Sequence, residues 1–154
     1  MQSLGRDAIL ALVPHQDAMC LWDDVLAWDA QTIRLRAHNH RDIAHPLRSN
    51  SLRSNGLRAN GQLRAVHLCE YGAQAMAVHG GLRARENGGR AKPGLLVALR
   101  GIALHVSRID DLPGALQCHA EVLTAGDAGW QYAFRITHVD TLLAEGRAAV
   151  MLQP

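Results

Sequence analysis

The stretch Val66 to Leu82, VHLCEYGAQAMAVHGGL, constrains this chain more than any other. It is rich in Ala, Met and Leu, and small residues surround its few polar positions, so it predicts a helix packed on more than one side. The paired glycines Gly80-Gly81 suit the end of that helix. The chain has no second apolar helix of this length. Its other periodic segments alternate with a period of two, as half-buried strands do. One enclosed helix among many strands requires a curved sheet around it, and hence an α+β fold.

The strands are read as Met19 to Trp28, Thr32 to Ala37, Leu95 to Val106, Leu116 to Thr124, Trp130 to His138 and Leu142 to Leu152. The clearest alternation is in TIRLRA and WQYAFRITH. Asp110-Asp111-Leu112-Pro113-Gly114 and Gly126-Asp127-Ala128-Gly129 supply turns. Residues 4–12 predict a short helix that leads into the Pro14-His15 turn. With 154 residues the chain holds one sizeable core, so residues 1–154 are read as one domain.

Residues 47–64 read LRSNSLRSNGLRANGQLR, a five-residue unit repeated with Asn and Gly at its junctions. The reading is a solvated loop inserted between the strand half and the helix. The alternative is that Arg48, Arg53, Arg58 and Arg64 meet an acidic partner. The whole chain carries 16 Lys and Arg against 14 Asp and Glu, a balance too even to argue for nucleic acid. Trp22, Trp28 and Trp130 are read as packing residues rather than a stacking platform. Cys20, Cys69 and Cys118 are odd in number and widely spaced, which fits a reducing compartment. No signal peptide or membrane span is legible, so a cytoplasmic location is expected.

Three blocks resemble a known family. They are LVPHQDAMCLWDDVLAW (Leu12 to Trp28), AHPL (Ala44 to Leu47) and CEYGAQAMAVHGGL (Cys69 to Leu82). Together they are similar to the hotdog-fold 3-hydroxyacyl-(acyl carrier protein) dehydratases, and most closely to the divergent branch linked to aryl-polyene-type lipid synthesis. The resemblance covers nearly the whole chain. It implies a hotdog fold, a long central helix wrapped by a curved antiparallel sheet. It also implies a homodimer whose sites take residues from both subunits, and an acyl substrate carried on phosphopantetheine by acyl carrier protein or as acyl-CoA. No other cofactor is implied.

Matched position by position, His45 takes the place of the family's catalytic base and Glu70 that of its acid. Dehydration needs one group to take the C2 proton and another to protonate the departing C3 hydroxyl. Burial of Glu70 beside Cys69 and Ala73 would favour the neutral carboxyl that a general acid requires. Gln74, one turn after Glu70, can orient that carboxyl or contact the substrate itself. Backbone N–H groups of Ala65 and Val66 at the helix start are candidates for the thioester oxygen, and Ala73, Met76 and Ala77 for lining the acyl chain. Where the family has Pro-Gly before the helix, this chain has Arg64-Ala65.

Other readings stand beside these. Glu70 can pair with His67, three residues earlier. His15 matches the family's Pro-His block and is read as structural. His38, His40 and His45, with Asp42 nearby, prompt a metal reading, but no complete ligand set is legible and no metal is expected. The same fold also serves acyl thioesterases, and a non-catalytic subunit that docks an acyl carrier is a third possibility.

Overall fold

The computed structural model describes residues 3–42, 44–47, 62–89 and 94–152. Most of the repeated segment, including Arg48, Arg53 and Arg58, lies outside them. The elements run α1 (Arg6–Leu10), β1 (Asp24–Trp28), β2 (Thr32–Ala37), α2 (Leu68–Glu86), β3 (Gly94–Leu104), β4 (Leu116–Ala125), β5 (Gly129–His138) and β6 (Thr141–Leu152). The strands form one antiparallel sheet in the order β1-β2-β4-β5-β6-β3. Helix α2 lies against β2, β4 and β5. This is the hotdog arrangement.

Alternation decides which face of each strand meets the helix. Ile33 and Leu35 of β2, Leu116, Cys118 and Ala120 of β4, and Tyr132, Phe134 and Ile136 of β5 are buried under α2. Their neighbours Arg34, Gln117, His119 and Arg135 face outward. Helix α2 buries ten of its side chains or glycines, Tyr71, Gln74, Val78 and Leu82 among them. A short 3-10 turn, Ala65–His67, leads into it.

Helix α2 does not stop at Gly80-Gly81 as the sequence suggests; it continues to Glu86. Close packing explains the glycine at 81, where an added Cβ would lie 3.1 Å from Leu12. Gly72 has the same kind of role on the sheet side. A Cβ there would fall 2.8 Å from the Phe134 ring, so β5 approaches the helix only because residue 72 has no side chain.

The first strand also begins later than expected. Asp17–Met19 form a 3-10 turn, with Asp17 at φ 53. Cys20, Leu21 and Trp22 are buried without belonging to a strand. The Leu21 N–H donates to the Gln74 side chain rather than to a neighbouring strand, and pairing starts where Asp23 N–H reaches Arg36 O.

The entry to α2 is fixed by a second polar contact. Leu63 N–H donates to Asp110 Oδ1 at 2.9 Å, and Ala65 N–H donates to Ser107 O at 3.0 Å. Arg108 pairs with the same Asp110 carboxylate. Chiefly through that guanidinium, and further through Leu63 N–H, the Asp110 carboxyl is held down at about 2. At the far edge of the sheet, β3 leaves Leu95 58% exposed, with Leu96, Val97, Leu99 and Leu104 also exposed.

Two outcomes follow from this packing. Gly72→Ala sets an overpacking cost of up to about 3 kcal/mol against about 1 kcal/mol of gained helix propensity. The variant should lose about 2 kcal/mol, read as a melting temperature lower by roughly 4–8 °C. For Asp110, the folded-state depression means its stabilisation is complete above the unfolded value of about 3.9 and drains away as pH falls through about 2. Acid unfolding followed by circular dichroism should therefore be less steep in that window for Asp110→Asn than for the native chain.

Candidate functional site

The first half of α2 presents its polar residues in two directions. Glu70, Ala73, Ala77, Gly80 and Ala84 follow one another at intervals of three and four, so they form a single stripe, with Val66 before it in the 3-10 turn. All of them keep some exposure. Tyr71 and Gln74 point into the protein and are buried. Of the expected lining residues, Ala73 and Ala77 share the stripe with Glu70, whereas Met76 sits in the core at 4% exposure.

Gln74 is satisfied on every side. Its two N–H groups donate to Met19 O at 2.8 Å and to Glu70 Oε1 at 3.0 Å, while its carbonyl accepts from Leu21 N–H at 2.9 Å. The amide therefore joins the Met19–Leu21 segment to the Glu70 carboxylate and fixes which way that carboxylate points. Glu70 itself is not buried as its apolar neighbours suggested. Its side chain is 37% exposed, and its nearest ionisable partner is His15, with Nε2 3.8 Å from Oε1. The local alternative, His67, is dominated by burial, which lowers its proton affinity, with Glu70 pulling the other way.

His45 lies in a different setting. It is 3% exposed and stacks against Tyr71, the ring centroids 6.1 Å apart. Leu47 N–H reaches its Nδ1 at 3.1 Å. A backbone N–H can only donate, so Nδ1 carries the lone pair and the neutral ring has its proton on Nε2. That Nε2–H lies 2.9 Å from the Tyr71 hydroxyl, and Tyr71 O–H in turn donates to Asn39 Oδ1 at 2.8 Å. Burial raises the Tyr71 phenol well above its ordinary range, which keeps it a proton-bearing donor. The indole of Trp22 packs edge-on against the same ring and donates to Tyr71 O.

Neither Tyr71 nor Asn39 is marked by any sequence signal of function. Tyr71 falls among apolar helix residues, and Asn39 is one polar residue in the His-rich stretch. His15, read as structural from its Pro-His context, is the histidine that stands at Glu70. The metal reading meets a different geometry. Strand β2 ends at Ala37, so His38 and His40 are not two side chains of one strand. His40 is buried and donates from Nε2 to Leu112 O at 2.7 Å. Among the described residues no three His, Cys, Asp or Glu side chains gather to hold a metal ion, and no helix is long and apolar enough to cross a membrane.

At the start of α2, the expected backbone donors divide. Ala65 N–H is spent on Ser107 O. Val66, 54% exposed, sits in the first turn, where helix geometry supplies no acceptor for its N–H. Carboxyl, small-residue stripe and open turn thus lie along one face of one helix.

Comparison with solved structures places the fold among related proteins. The chain is similar to the dehydratase heterocomplex ApeI:P from Xenorhabdus doucetiae, at 19% identity and a TM-score of 0.76, over 98% of this chain and 92% of the other. It is also similar to AziG from S. sahachiroi, at 13% identity and TM-score 0.54, over 83% and 88% of the two chains. A mutant of a thioesterase enzyme from Staphylococcus aureus gives 14% identity and TM-score 0.52, over 84% and 92%. These likenesses establish the shared fold. No curated protein sequence matches the chain. The model of the ApeP-like family, described as ApeP dehydratase, matches residues 7–154, and the chain belongs to that family.

Proposed function

We propose that the chain dehydrates a 3-hydroxyacyl thioester, carried on phosphopantetheine by an acyl carrier protein or coenzyme A, to the 2-enoyl thioester. The observation that carries this reading is the Glu70 carboxyl, aimed by a buried amide and open to solvent, at the head of a small-residue stripe on the central helix. Membership of the ApeP-like dehydratase family supports the reaction type.

In this reading Glu70 gives its proton to the C3 hydroxyl, which leaves as water, and His45 takes the C2 proton. The acyl chain runs along Ala73 and Ala77, where the absence of longer side chains leaves it room. Val66 N–H is the donor offered to the thioester oxygen as negative charge develops there. Gln74, with its amide spent on Met19, Leu21 and Glu70, serves to hold the carboxyl.

The structure sets a condition on His45. With Nδ1 occupied by Leu47 N–H and the proton on Nε2, the ring has no free lone pair. Accepting the C2 proton requires the Leu47 contact to open. The family resemblance also divides such sites between two subunits, and strand β3 supplies an edge where a second chain can pair. Among the described residues β3 pairs on one side only, with β6, and an open edge with five exposed large apolar side chains is costly in water and is relieved by another strand. The related ApeI:P structure is a heterocomplex, so the second chain is either another copy of this one or a different hotdog chain.

A cytoplasmic location suits the reaction, since the carrier-bound substrate is made there. The three free cysteines are compatible with it.

The test is to offer the protein a 3-hydroxyacyl thioester and follow the conjugated enoyl product. Glu70→Gln, which keeps the hydrogen bond from Gln74 but cannot deliver a proton, should lower turnover about a hundredfold or more while leaving the fold unchanged. His45→Ala should do the same. Full activity in both variants, or release of free thiol in place of enoyl thioester, would remove the dehydratase reading.

A further inference from the structure

We propose that His15 is a positioning residue for Glu70, the imidazole that returns a proton to the carboxylate after each elimination. The inference rests on Glu70 being the acid of the reaction described above.

His15 Nε2 stands 3.8 Å from Glu70 Oε1, and the two side chains are open to solvent to a similar degree, 32% and 37%. His45, by contrast, is sealed at 3% with both nitrogens engaged. His67, on the turn before α2, also feels Glu70 but is governed by its burial, so His15 is the histidine placed to exchange protons between Glu70 and water.

A histidine retained for structure satisfies its nitrogens, as His79 does: Nδ1 accepts from the Tyr132 hydroxyl and Nε2 donates to Asp29 O. His15 does not follow that pattern. Its Nδ1 is buried with no hydrogen-bond partner among the described residues, and its Nε2 is directed at a carboxylate beyond direct hydrogen-bond range. A buried ring nitrogen left unpaired costs on the order of 1–3 kcal/mol, so the fold gains little from this ring.

The backbone around His15 is tied down by side-chain hydrogen bonds. Gln16 donates from its side chain to Leu10 O and Val13 O, and Arg6 donates to Asp17 O. Gln74, which aims Glu70, bonds to Met19 O in the same loop. The two partners are thus fixed to one scaffold, and no hydrogen bond among the described residues pins the imidazole itself.

The proton balance is simple. Elimination leaves Glu70 as a carboxylate and releases water. Protonated His15 passes its Nε2 proton to Glu70 Oε1, across a gap that a small ring rotation or one bridging water closes. The neutral imidazole then takes a proton from a buffer acid in solvent, and the proton that His45 removed from C2 is lost to solvent in turn.

The experiment compares the native protein with His15→Ala, His15→Gln and Glu70→Gln, with and without added imidazole. His15→Ala should lower kcat about tenfold to a hundredfold with KM little changed, and imidazole should restore it in a concentration-dependent manner. His15→Gln, with a side chain in place of the opened space, should stay low. Imidazole should not revive Glu70→Gln. Independently of turnover, the ring-nitrogen NMR shifts of His15 should move in Glu70→Gln. An active native protein whose His15→Ala variant keeps its kcat, or loses it without imidazole rescue, leaves His15 with a structural role only. Full activity in Glu70→Gln, or no dehydration by the native protein, instead overturns the functional reading beneath the inference.

Discussion

The buried amide of Gln74 is the contact on which the rest of the site depends. One side chain caps the backbone of Met19 and Leu21, which no strand serves, and orients the carboxylate one turn away on its own helix. An amide suits the task because it offers two donors and an acceptor at once. An apolar replacement would strand Leu21 N–H and Met19 O inside the protein, and would also leave Glu70 free to turn. Fold and chemistry therefore share a residue. The late start of β1, the buried Cys20–Trp22 segment and the aim of Glu70 have a common cause.

What the sequence makes legible follows from periodicity. β4 and β5 alternate cleanly, and their buried positions are the ones that alternation assigns. The apolar run of α2 identifies an enclosed helix for the same reason: its residues must be covered on several sides. The end of that helix was less legible, because glycine has two uses. At Gly80-Gly81 it reads as a terminator, but the chain uses Gly81 for close approach to Leu12 and carries the helix onward. The start of β1 was hidden because a side chain fifty residues away takes the backbone bond that a strand would have used. Local pattern does not encode such a partner.

The site was legible in part, and the part that was missed has a physical explanation. Glu70 and Gln74 stand four apart on a helix, so their contact follows from helix geometry alone. His15, Asn39 and Tyr71 come together with their partners only through tertiary packing. Tyr71 in particular looks like core, and its ring is core. Its hydroxyl is the exception, tied between His45 and Asn39 because a buried phenol requires partners. The apolar setting of Glu70 in the sequence suggested burial, yet the residues flanking it lie on other faces of the helix and leave the carboxyl open.

The two histidines near α2 differ in a way that bears on how such a site works. His45 is held as a specific neutral tautomer by a backbone donor and a phenol, so its ring is oriented before substrate arrives. His15 is held by its loop rather than by its ring, and it faces a carboxylate. A proton-transfer site needs both kinds of behaviour: one group whose geometry is set before substrate arrives, and another that can gain and lose charge between turnovers. In the proposed scheme His45 takes the first part and His15 the second, in separate surroundings on the two sides of the central helix's polar residues. Strand β3 bears on assembly in the same way. Its exposed apolar side chains lie on the edge strand at the far end of the sheet from β1. In the proposed assembly, a second chain that pairs there leaves in place the loop that carries His15 and the amide that aims Glu70.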